Sequence, residues 1–228
     1  MFGNLKKKGT EKKGGQKIGK DLDFASLEAY NLLRTNLSFS LPDNDAGKVI
    51  GITSPCPQEG KSTTSLNLSY SLAEAGYKVL LIDADMRRPS VSKTLDLPRS
   101  PGLSNMLTEE PENAIRAGVL TENLSILLSG DIPPNPSELI GSKKMQKLIE
   151  GFRAEYNYII VDLPPVISVS DPLAMSKNID GMVVVVRHGH TKRRDVIETM
   201  RQIEMVNANV LGFVYNGAMR NKPSYTHN

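Results

Sequence analysis

Short apolar runs separated by helical patterns recur along the chain, and they constrain its fold more than any other feature. The runs occupy residues 49–53, 79–82, 124–128, 158–161, 182–186 and 210–214. Between them, apolar residues recur every three or four positions, most clearly around Met145 and Leu148 and around Val196 and Met200, which is the period of a helix. Strands that are apolar on both faces fit a parallel sheet covered by helices on both sides. The sequence therefore predicts an α/β fold with a doubly wound, mostly parallel sheet.

The domain organisation follows from length and charge. With 228 residues and 39% hydrophobic content, the chain can bury one sizeable α/β core. Residues 1–22 predict a basic, disordered tail, which is either simply solvated or attracted to anionic lipid. The lysines of this tail are Lys6, Lys7, Lys8, Lys12, Lys13, Lys17 and Lys20. We expect one domain over residues 23–218 and a flexible C-terminal tail over residues 219–228.

The location of the protein is predicted from the short length of its apolar runs and their interruption by polar residues. The first apolar cluster, around Phe24 and Leu27, is interrupted by polar residues and does not resemble a secretory signal. The run at 183–186 is far too short to span a bilayer. We therefore expect a cytoplasmic protein. Its single cysteine, Cys56, excludes an internal disulfide and a cysteine-rich zinc site.

A phosphate-binding loop follows the first apolar run. Residues 54–63 read SPCPQEGKST and precede a helical segment. Gly60 lets backbone amides approach a phosphate, Lys61 can reach the β and γ phosphates, and Ser62 can ligate Mg²⁺. The usual first glycine of such a loop is replaced by Pro55. The residues that we expect to contact nucleotide here are Pro57, Glu59, Gly60, Lys61, Ser62 and Thr63.

Three carboxylates stand at the ends of predicted strands. Asp83 and Asp85 follow the second run, and Asp162 follows the run at 158–161. Each alone could cap a helix or form a surface ion pair. Because ligands in doubly wound folds bind beyond the carboxyl ends of the strands, their combination with a phosphate loop predicts a metal-nucleotide site.

With these motifs the chain resembles the bacterial tyrosine kinases (BY-kinases) of the CpsD/CapB type, over residues 24–218. Their Walker A motif is similar to the loop at 54–63, Walker A′ to the segment from Asp83 to Arg87, and Walker B to the strand that ends in Asp162. The resemblance implies ATP and Mg²⁺ as cofactors. It assigns catalysis to Lys61, Asp83 and Asp85, with Asp83 as the candidate base.

The resemblance also implies ligands and contacts for the cofactors. Ser62, Asp85 and Asp162 are expected to hold the metal, and Asp171 would either lie near it or cap a helix. Arg187 and Asn216, at the ends of the last two strands, are candidate adenine contacts or else strand caps.

The main alternative is a switch ATPase of the related ParA/MinD type. Those proteins carry a signature lysine five residues before the phosphate-loop lysine, at the position of Cys56. Arg87 and Arg88 after the paired aspartates are similar to the kinase pattern. The same loop places Cys56 near amides and Lys61, so it is either a small loop residue without a function or a reactive thiol whose pKa is lowered by these groups.

Oligomerisation and autophosphorylation are implied by the two ends of the domain. An amphipathic helix is predicted over residues 23–37, with Phe24, Leu27, Tyr30, Leu33 and Leu37 on its apolar face. Glu28 and Arg34 resemble the oligomerisation motif of the family, although a solvated helix face is also possible. After the last strand only Tyr225 remains as an autophosphorylation site, because Tyr215 is expected to be buried.

The resemblance implies a protein-tyrosine kinase that phosphorylates itself and other proteins. It implies control of capsule or exopolysaccharide production, with a transmembrane activator of the polysaccharide co-polymerase type. That partner would recruit the kinase to the inner face of the cell membrane. Tyrosine-bearing proteins would be its substrates, a homo-oligomer its assembly, and nucleic acid is not expected as a partner.

Overall fold

The computed structural model describes residues 17–41, 46–109 and 111–218. A seven-stranded sheet forms its centre, in the order β3-β4-β2-β5-β1-β6-β7. The strands are β1 (Lys48–Thr53), β2 (Val79–Asp83), β3 (Ile115–Arg116), β4 (Leu124–Leu127), β5 (Tyr158–Asp162), β6 (Gly181–Arg187) and β7 (Val210–Asn216). The helices are α1 (Phe24–Ser40), α2 (Lys61–Glu74), α3 (Val91–Leu95), α4 (Leu103–Thr108), α5 (Pro136–Ile140), α6 (Lys143–Glu155), α7 (Asp171–Met175) and α8 (Arg193–Met205).

The sheet confirms the predicted doubly wound α/β architecture. All neighbouring strands from β4 to β7 run parallel, and only β3 is antiparallel to its neighbour β4. Strand β3 was not predicted, because two residues are too few to show a period. Strands β1, β2 and β5 are buried on both faces, which explains their continuous apolar runs. Within the described ranges, none of the helices combines the length and apolar composition needed to cross a bilayer.

Helix α1 packs against α2 through part of its predicted apolar face. Leu37 is buried, and Tyr30 and Leu33 pack against the same core cluster. Phe24, which the periodicity placed on that face, is instead 79% exposed. It is the first residue of α1, and the helix meets the core only further along its length.

The folded domain begins before the boundary predicted at residue 23. Ile18 is buried in the main core cluster. The Gly19 N–H donates to Asn67 Oδ1 on α2 over 2.9 Å, and residues Gly19–Asp21 form a short 3-10 helix. The last residues of the expected basic tail therefore belong to the domain, because an apolar side chain and a backbone hydrogen bond fix them to α2. Residues 1–16 lie outside the described residues.

Candidate active site

The phosphate loop lies between β1 and α2 in the conformation that its sequence predicts. Gly60 is the N-cap of α2 and has φ of +92°, a left-handed value that favours glycine. A Cβ atom at this position would lie 2.1 Å from Asn216 Nδ2. Both the backbone angle and the lack of space therefore require glycine here. The backbone amides at the start of α2 consequently face the cleft, where they can bind phosphate.

Glu59 stabilises the loop from inside. Its side chain is fully buried; one carboxylate oxygen accepts from the Cys56 N–H over 3.0 Å and the other accepts from the Thr191 hydroxyl. Glu59 was predicted to contact nucleotide, but its carboxylate is turned away from the cleft and shapes the loop instead.

Lys61 lies among three carboxylates. Its Nζ is 2.8 Å from Asp85 Oδ2 and 3.8 Å from Asp162 Oδ1, and the lysine is only 8% exposed. Burial acts to lower the pKa of Lys61, but the charges of Asp162 and Asp85 outweigh it and leave the pKa raised. The ammonium group is therefore charged at any physiological pH and neutralises this end of the cleft.

Asp83 and Asp162 are paired in register on adjacent strands and are both fully buried. One oxygen of each, Oδ2, lacks a hydrogen-bond partner among the described residues. Burial and the Asp162 charge raise the pKa of Asp83 well above its ordinary value. Burial also raises the pKa of Asp162, although Lys61 opposes that shift. Two unpartnered carboxylate oxygens, buried directly behind the wall of the cleft, indicate a site for a cation or a proton-bearing group.

The donor set at this position fits Mg²⁺. The Ser65 hydroxyl donates to Asp162 Oδ1 over 3.1 Å, and Ser62 Oγ is 3.4 Å from Lys61 Nζ, which itself pairs with Asp85. Hydroxyl and carboxylate oxygens are the ligands that Mg²⁺ prefers. Across the described part of the chain, groups of three or more His, Cys, Asp or Glu able to hold a metal are not found. A cation here would therefore take its remaining ligands from nucleotide phosphates and water.

Arg187 and Asn216 hold the other side of the loop. Arg187 Nη1 donates to the Gln58 carbonyl over 3.0 Å, and Asn216 Nδ2 donates to the Glu59 carbonyl over 2.9 Å. Both side chains also line the main cleft. They therefore fix the loop by direct bonds, and they border the space in which a base would lie.

The main cleft has a volume of about 1030 Å³ and contains most of the predicted site. Pro57, Gly60, Lys61, Ser62, Thr63 and Asp85 line it, whereas Glu59, Asp83 and Asp162 lie behind its wall. Sequence reasoning did not assign the opposite wall, which includes Pro164, Pro165, Ser168 and Val169 after β5. The two prolines directly after the Walker B strand indicate a loop, and this signal could have identified the opposite wall.

Arg87 connects the Walker A′ segment to α5 and α7. Its Nε and Nη2 are 3.0 and 3.1 Å from the two oxygens of Asp171, which also accepts from the Ser137 hydroxyl. Asp171 is fully buried, and its hydrogen bond raises the pKa of Arg87. Because both of its oxygens are engaged, Asp171 acts as an anchor for Arg87 rather than as a metal ligand.

The predicted oligomerisation residues form contacts within their own chain. Arg34 Nη1 donates to the Ser71 carbonyl of α2 over 2.6 Å, and Glu28 Oε1 accepts from Asn31 Nδ2 over 3.1 Å. Asn31 in turn accepts from the Ser71 hydroxyl. The polar side chains of α1 are therefore partly turned toward α2.

One tyrosine, Tyr215, is more exposed than predicted. Tyr225 lies outside the described residues. Tyr215 was expected to be buried but is 58% exposed. Strand β7 is an edge strand, paired with β6 on one side and with no other described strand on the second side. The apolar run predicted the strand correctly but could not show that it lies at the edge.

The environment of Cys56 is opposite to the predicted one. Burial, Glu59 and Asp195 raise the pKa of the thiol above its ordinary value of 9.0. Sγ lies 4.0 Å from Asp195 Oδ2, so the nearest charge is negative. The thiol is therefore protonated at neutral pH and is not an activated nucleophile.

We expect iodoacetamide to alkylate Cys56 more slowly at neutral pH than a cysteine in an unfolded peptide. The rate should continue to rise with pH beyond the ordinary thiol pKa, because only the thiolate reacts. Mass spectrometry of the labelled protein across pH measures this profile. An alkylation rate that levels off below pH 8 would contradict the raised pKa.

Comparison with known proteins agrees with this geometry. The family model described as ParA, NUBPL iron-transfer P-loop NTPase, matches residues 46–228. Tyrosine-protein kinase YwqD of Bacillus subtilis is 38% identical over 199 residues, which cover 86% of this chain and 83% of the relative. The kinase domain of the Escherichia coli tyrosine kinase ETK superimposes with a TM-score of 0.80 at 30% identity, over 89% of this chain and 80% of that one. The chimerical protein CapA2B2 gives a TM-score of 0.77 at 38% identity, over 82% and 83% of the two chains.

YwqD and ETK, which match over at least four fifths of both chains, are tyrosine kinases, and the family model accounts for the phosphate-loop fold. The chain belongs to the bacterial tyrosine-protein kinases, within the ParA-type P-loop NTPases.

Proposed function

We propose that this chain transfers the γ-phosphoryl group of ATP to tyrosine hydroxyls of proteins. The observation that carries the proposal is the Lys61 ammonium group, 2.8 Å from Asp85, at the point where the phosphate loop meets the carboxyl ends of β2 and β5. Phosphoryl transfer depends mainly on positioning and charge neutralisation, and this arrangement supplies both.

The nucleotide would bind with its phosphates on the amides at the start of α2 and with its base toward Arg187 and Asn216. Ser62, Asp85 and Asp162 would hold Mg²⁺. Bound there, the cation would neutralise charge on the transferred phosphoryl group. Lys61 would move from its contact with Asp85 to the phosphates, since both are anionic and lie on the same side of the cleft.

Asp83 is the candidate proton acceptor, through its unpartnered Oδ2, which the tyrosine hydroxyl would have to reach by displacing part of the cleft wall that now covers it. The tyrosine oxygen attacks the γ-phosphorus while its proton passes to Asp83, and ADP leaves with the electrons of the broken β–γ phosphoanhydride bond. A carboxylate whose pKa is raised by burial and by Asp162 is a stronger base than an ordinary aspartate. Activity should therefore fall as the pH drops through this raised pKa, at a higher pH than the ordinary value of 3.8 would give.

The assembly that we propose is a homo-oligomer, with a transmembrane activator of the polysaccharide co-polymerase type and a role in capsule or exopolysaccharide production. Leu32 and Phe39 on α1 are 53% and 84% exposed, which is apolar area that a neighbouring subunit would cover next to Glu28 and Arg34. The activator would bring the kinase from the cytoplasm to the membrane. Similarity to the CapA2B2 chimera and to the ETK kinase domain supports this proposal.

The decisive test incubates the protein with Mg-ATP, with and without the cytoplasmic segment of a candidate activator. Phosphotyrosine and released inorganic phosphate are measured in the same sample. A tyrosine kinase accumulates phosphotyrosine, and the activator segment increases it. Release of phosphate without phosphotyrosine in either sample would instead identify a switch ATPase of the ParA/MinD type.

We expect Tyr225 to be the main autophosphorylation site and to be modified by a neighbouring subunit. The sequence around it contains Pro223 and lacks an apolar period, whereas Tyr156 and Tyr158 are buried. A Lys61→Met chain, as substrate only, is mixed with a Tyr225→Phe chain, as enzyme only, and phosphotyrosine is mapped by mass spectrometry. Label on Tyr225 of the Lys61→Met chain is the expected result. Label confined to other tyrosines, such as the exposed Tyr77 and Tyr215, would show that the site assignment is wrong.

A further inference from the structure

A second cleft, of about 570 Å³, adjoins the main one on the side of the Walker A′ segment. The two clefts share Arg87, Arg88 and Ser90. The second extends from there along α3 to Lys93, Arg99 and Ile132. We call this second cleft the basic groove. Anything bound in it lies directly beside the position of the nucleotide phosphates.

The charge of the basic groove is mostly unbalanced. Arg87 is neutralised by its bidentate contact with Asp171. For Arg88, Lys93 and Arg99, the described residues include no carboxylate within ion-pair distance. The carboxylates around these cations are already engaged. Asp131 accepts hydrogen bonds from Asn105 and Ser100. Asp85, which accepts from the Arg88 backbone N–H over 3.0 Å, pairs with Lys61. Three cations therefore face the groove without a matching anion.

The groove also offers an apolar contact. Ile132, in the loop after β4, is 56% exposed, and Pro89 lies in the wall beside it. A rigid aromatic ring flanked by negative charges would match this combination of an aliphatic surface and surrounding cations. Nucleotide already has its own cleft, so the groove is open for the second substrate.

We propose that the basic groove binds the acceptor polypeptide and selects tyrosines that are flanked by acidic residues. This inference rests on the proposed kinase function, and it defines the substrate class of the same site. The proposal also predicts which acceptor segments bind more tightly. Residues 219–228 contain Arg220 and Lys222 and no acidic residue, so the chain's own C-terminal segment fits the groove less well than an acidic segment of another protein.

The test compares two fluorescent peptides, a tyrosine flanked by glutamates and the same peptide with glutamines in their place. Binding is measured by anisotropy, and phosphorylation with Mg-ATP is measured by mass spectrometry. Lys93→Glu combined with Arg99→Glu reverses the charge at two of the groove's three unbalanced cations, and neither residue lines the main cleft. Lys147→Glu, on the exposed face of α6, is the matched control.

The wild-type protein and the Lys147→Glu control should prefer the glutamate peptide by roughly tenfold, and added salt should weaken that preference. The double variant should lose the preference while it binds a fluorescent ATP analogue as tightly as the wild type. Equal binding of both peptides by the wild type, or an unchanged preference in the double variant, would overturn the proposal. If neither peptide is phosphorylated, the kinase function fails, and the anisotropy measurement still decides whether the groove binds acidic peptides.

Discussion

Replacing Lys61 with methionine is expected to abolish phosphotyrosine formation and to lower the thermal stability of the protein. The loss of activity follows from the removal of the Lys61 cation, which lies between the phosphate loop and the carboxylates proposed to act in catalysis. Removing a preorganised charge of this kind costs about a thousandfold in rate. Phosphotyrosine detection after incubation with Mg-ATP measures that loss.

The loss of stability has a separate cause. Lys61 is 8% exposed and neutralises Asp85 and Asp162, so its removal leaves negative charges buried together without a counterion. Breaking a buried ion pair from one side destabilises a protein by about 3–5 kcal/mol. For a domain of this size that corresponds to a decrease of roughly ten degrees in Tm.

Lowering the pH should partly reverse the destabilisation of the Lys61→Met variant. Burial raises the pKa values of Asp162 and Asp83, and Lys61 opposes both shifts, so without the lysine these two buried carboxylates are protonated more readily as the pH falls. The difference in Tm between wild type and variant should therefore shrink from about pH 8 to about pH 5. Lys147→Met, exposed on α6, serves as the control and should change neither Tm nor activity. An active variant with unchanged Tm would contradict both the catalytic and the structural role of Lys61.

Replacing Asp83 with asparagine is expected to lower the activity and to raise the stability, whereas Lys61→Met lowers both. Phosphoryl transfer should fall by about 100-fold to 10,000-fold, because the amide cannot accept the tyrosine proton. ATP binding should remain, since Asp83 does not line the main cleft. Single-turnover phosphorylation and titration with a fluorescent ATP analogue measure the two effects.

The same substitution should stabilise the fold at neutral pH. The folded-state pKa of Asp83 is raised, so the stability that this group contributes is present at low pH and is lost as the pH rises through that pKa. Asparagine removes the buried charge, with an expected gain of about 1 kcal/mol, or about 2–4 °C in Tm. Asp96→Asn, at the exposed left-handed residue after α3, is the control. Loss of ATP binding together with a lower Tm would show that Asp83 supports the nucleotide site and the fold and is not the base.

The strands and the phosphate loop could be predicted from the sequence because their causes are local. Residues 49–53 are apolar without interruption since β1 is covered on both faces. Gly60, Lys61 and Ser62 are dictated by the shape and charge of a phosphate. Asp83 and Asp162 follow apolar runs, and parallel strands bring their ends to one edge of the sheet, where the two residues are in register.

Contacts between distant segments could not be predicted in the same way. Arg87 and Asp171 are 84 positions apart, and neither the period nor the composition around them indicates that they pair. Glu59 belongs to the loop motif, yet its carboxylate turns inward because the Thr191 hydroxyl, 132 positions away, lies on that side. The pKa of the Cys56 thiol is raised first by burial and then by Glu59 and Asp195, and Asp195 is brought to the loop by α8.

The sequence by itself determined the class of fold and the position of the phosphate loop, because a strand's apolar run and a phosphate-binding motif are encoded within a few consecutive positions. Only the tertiary structure decided which strand lies at the edge, and so why Tyr215 is 58% exposed although its neighbours are apolar. It also decided that Ile18 belongs to the core and that three cations share one groove with Ile132. Each of these depends on which surfaces meet in space, and the spacing of residues along the chain carries no information about that.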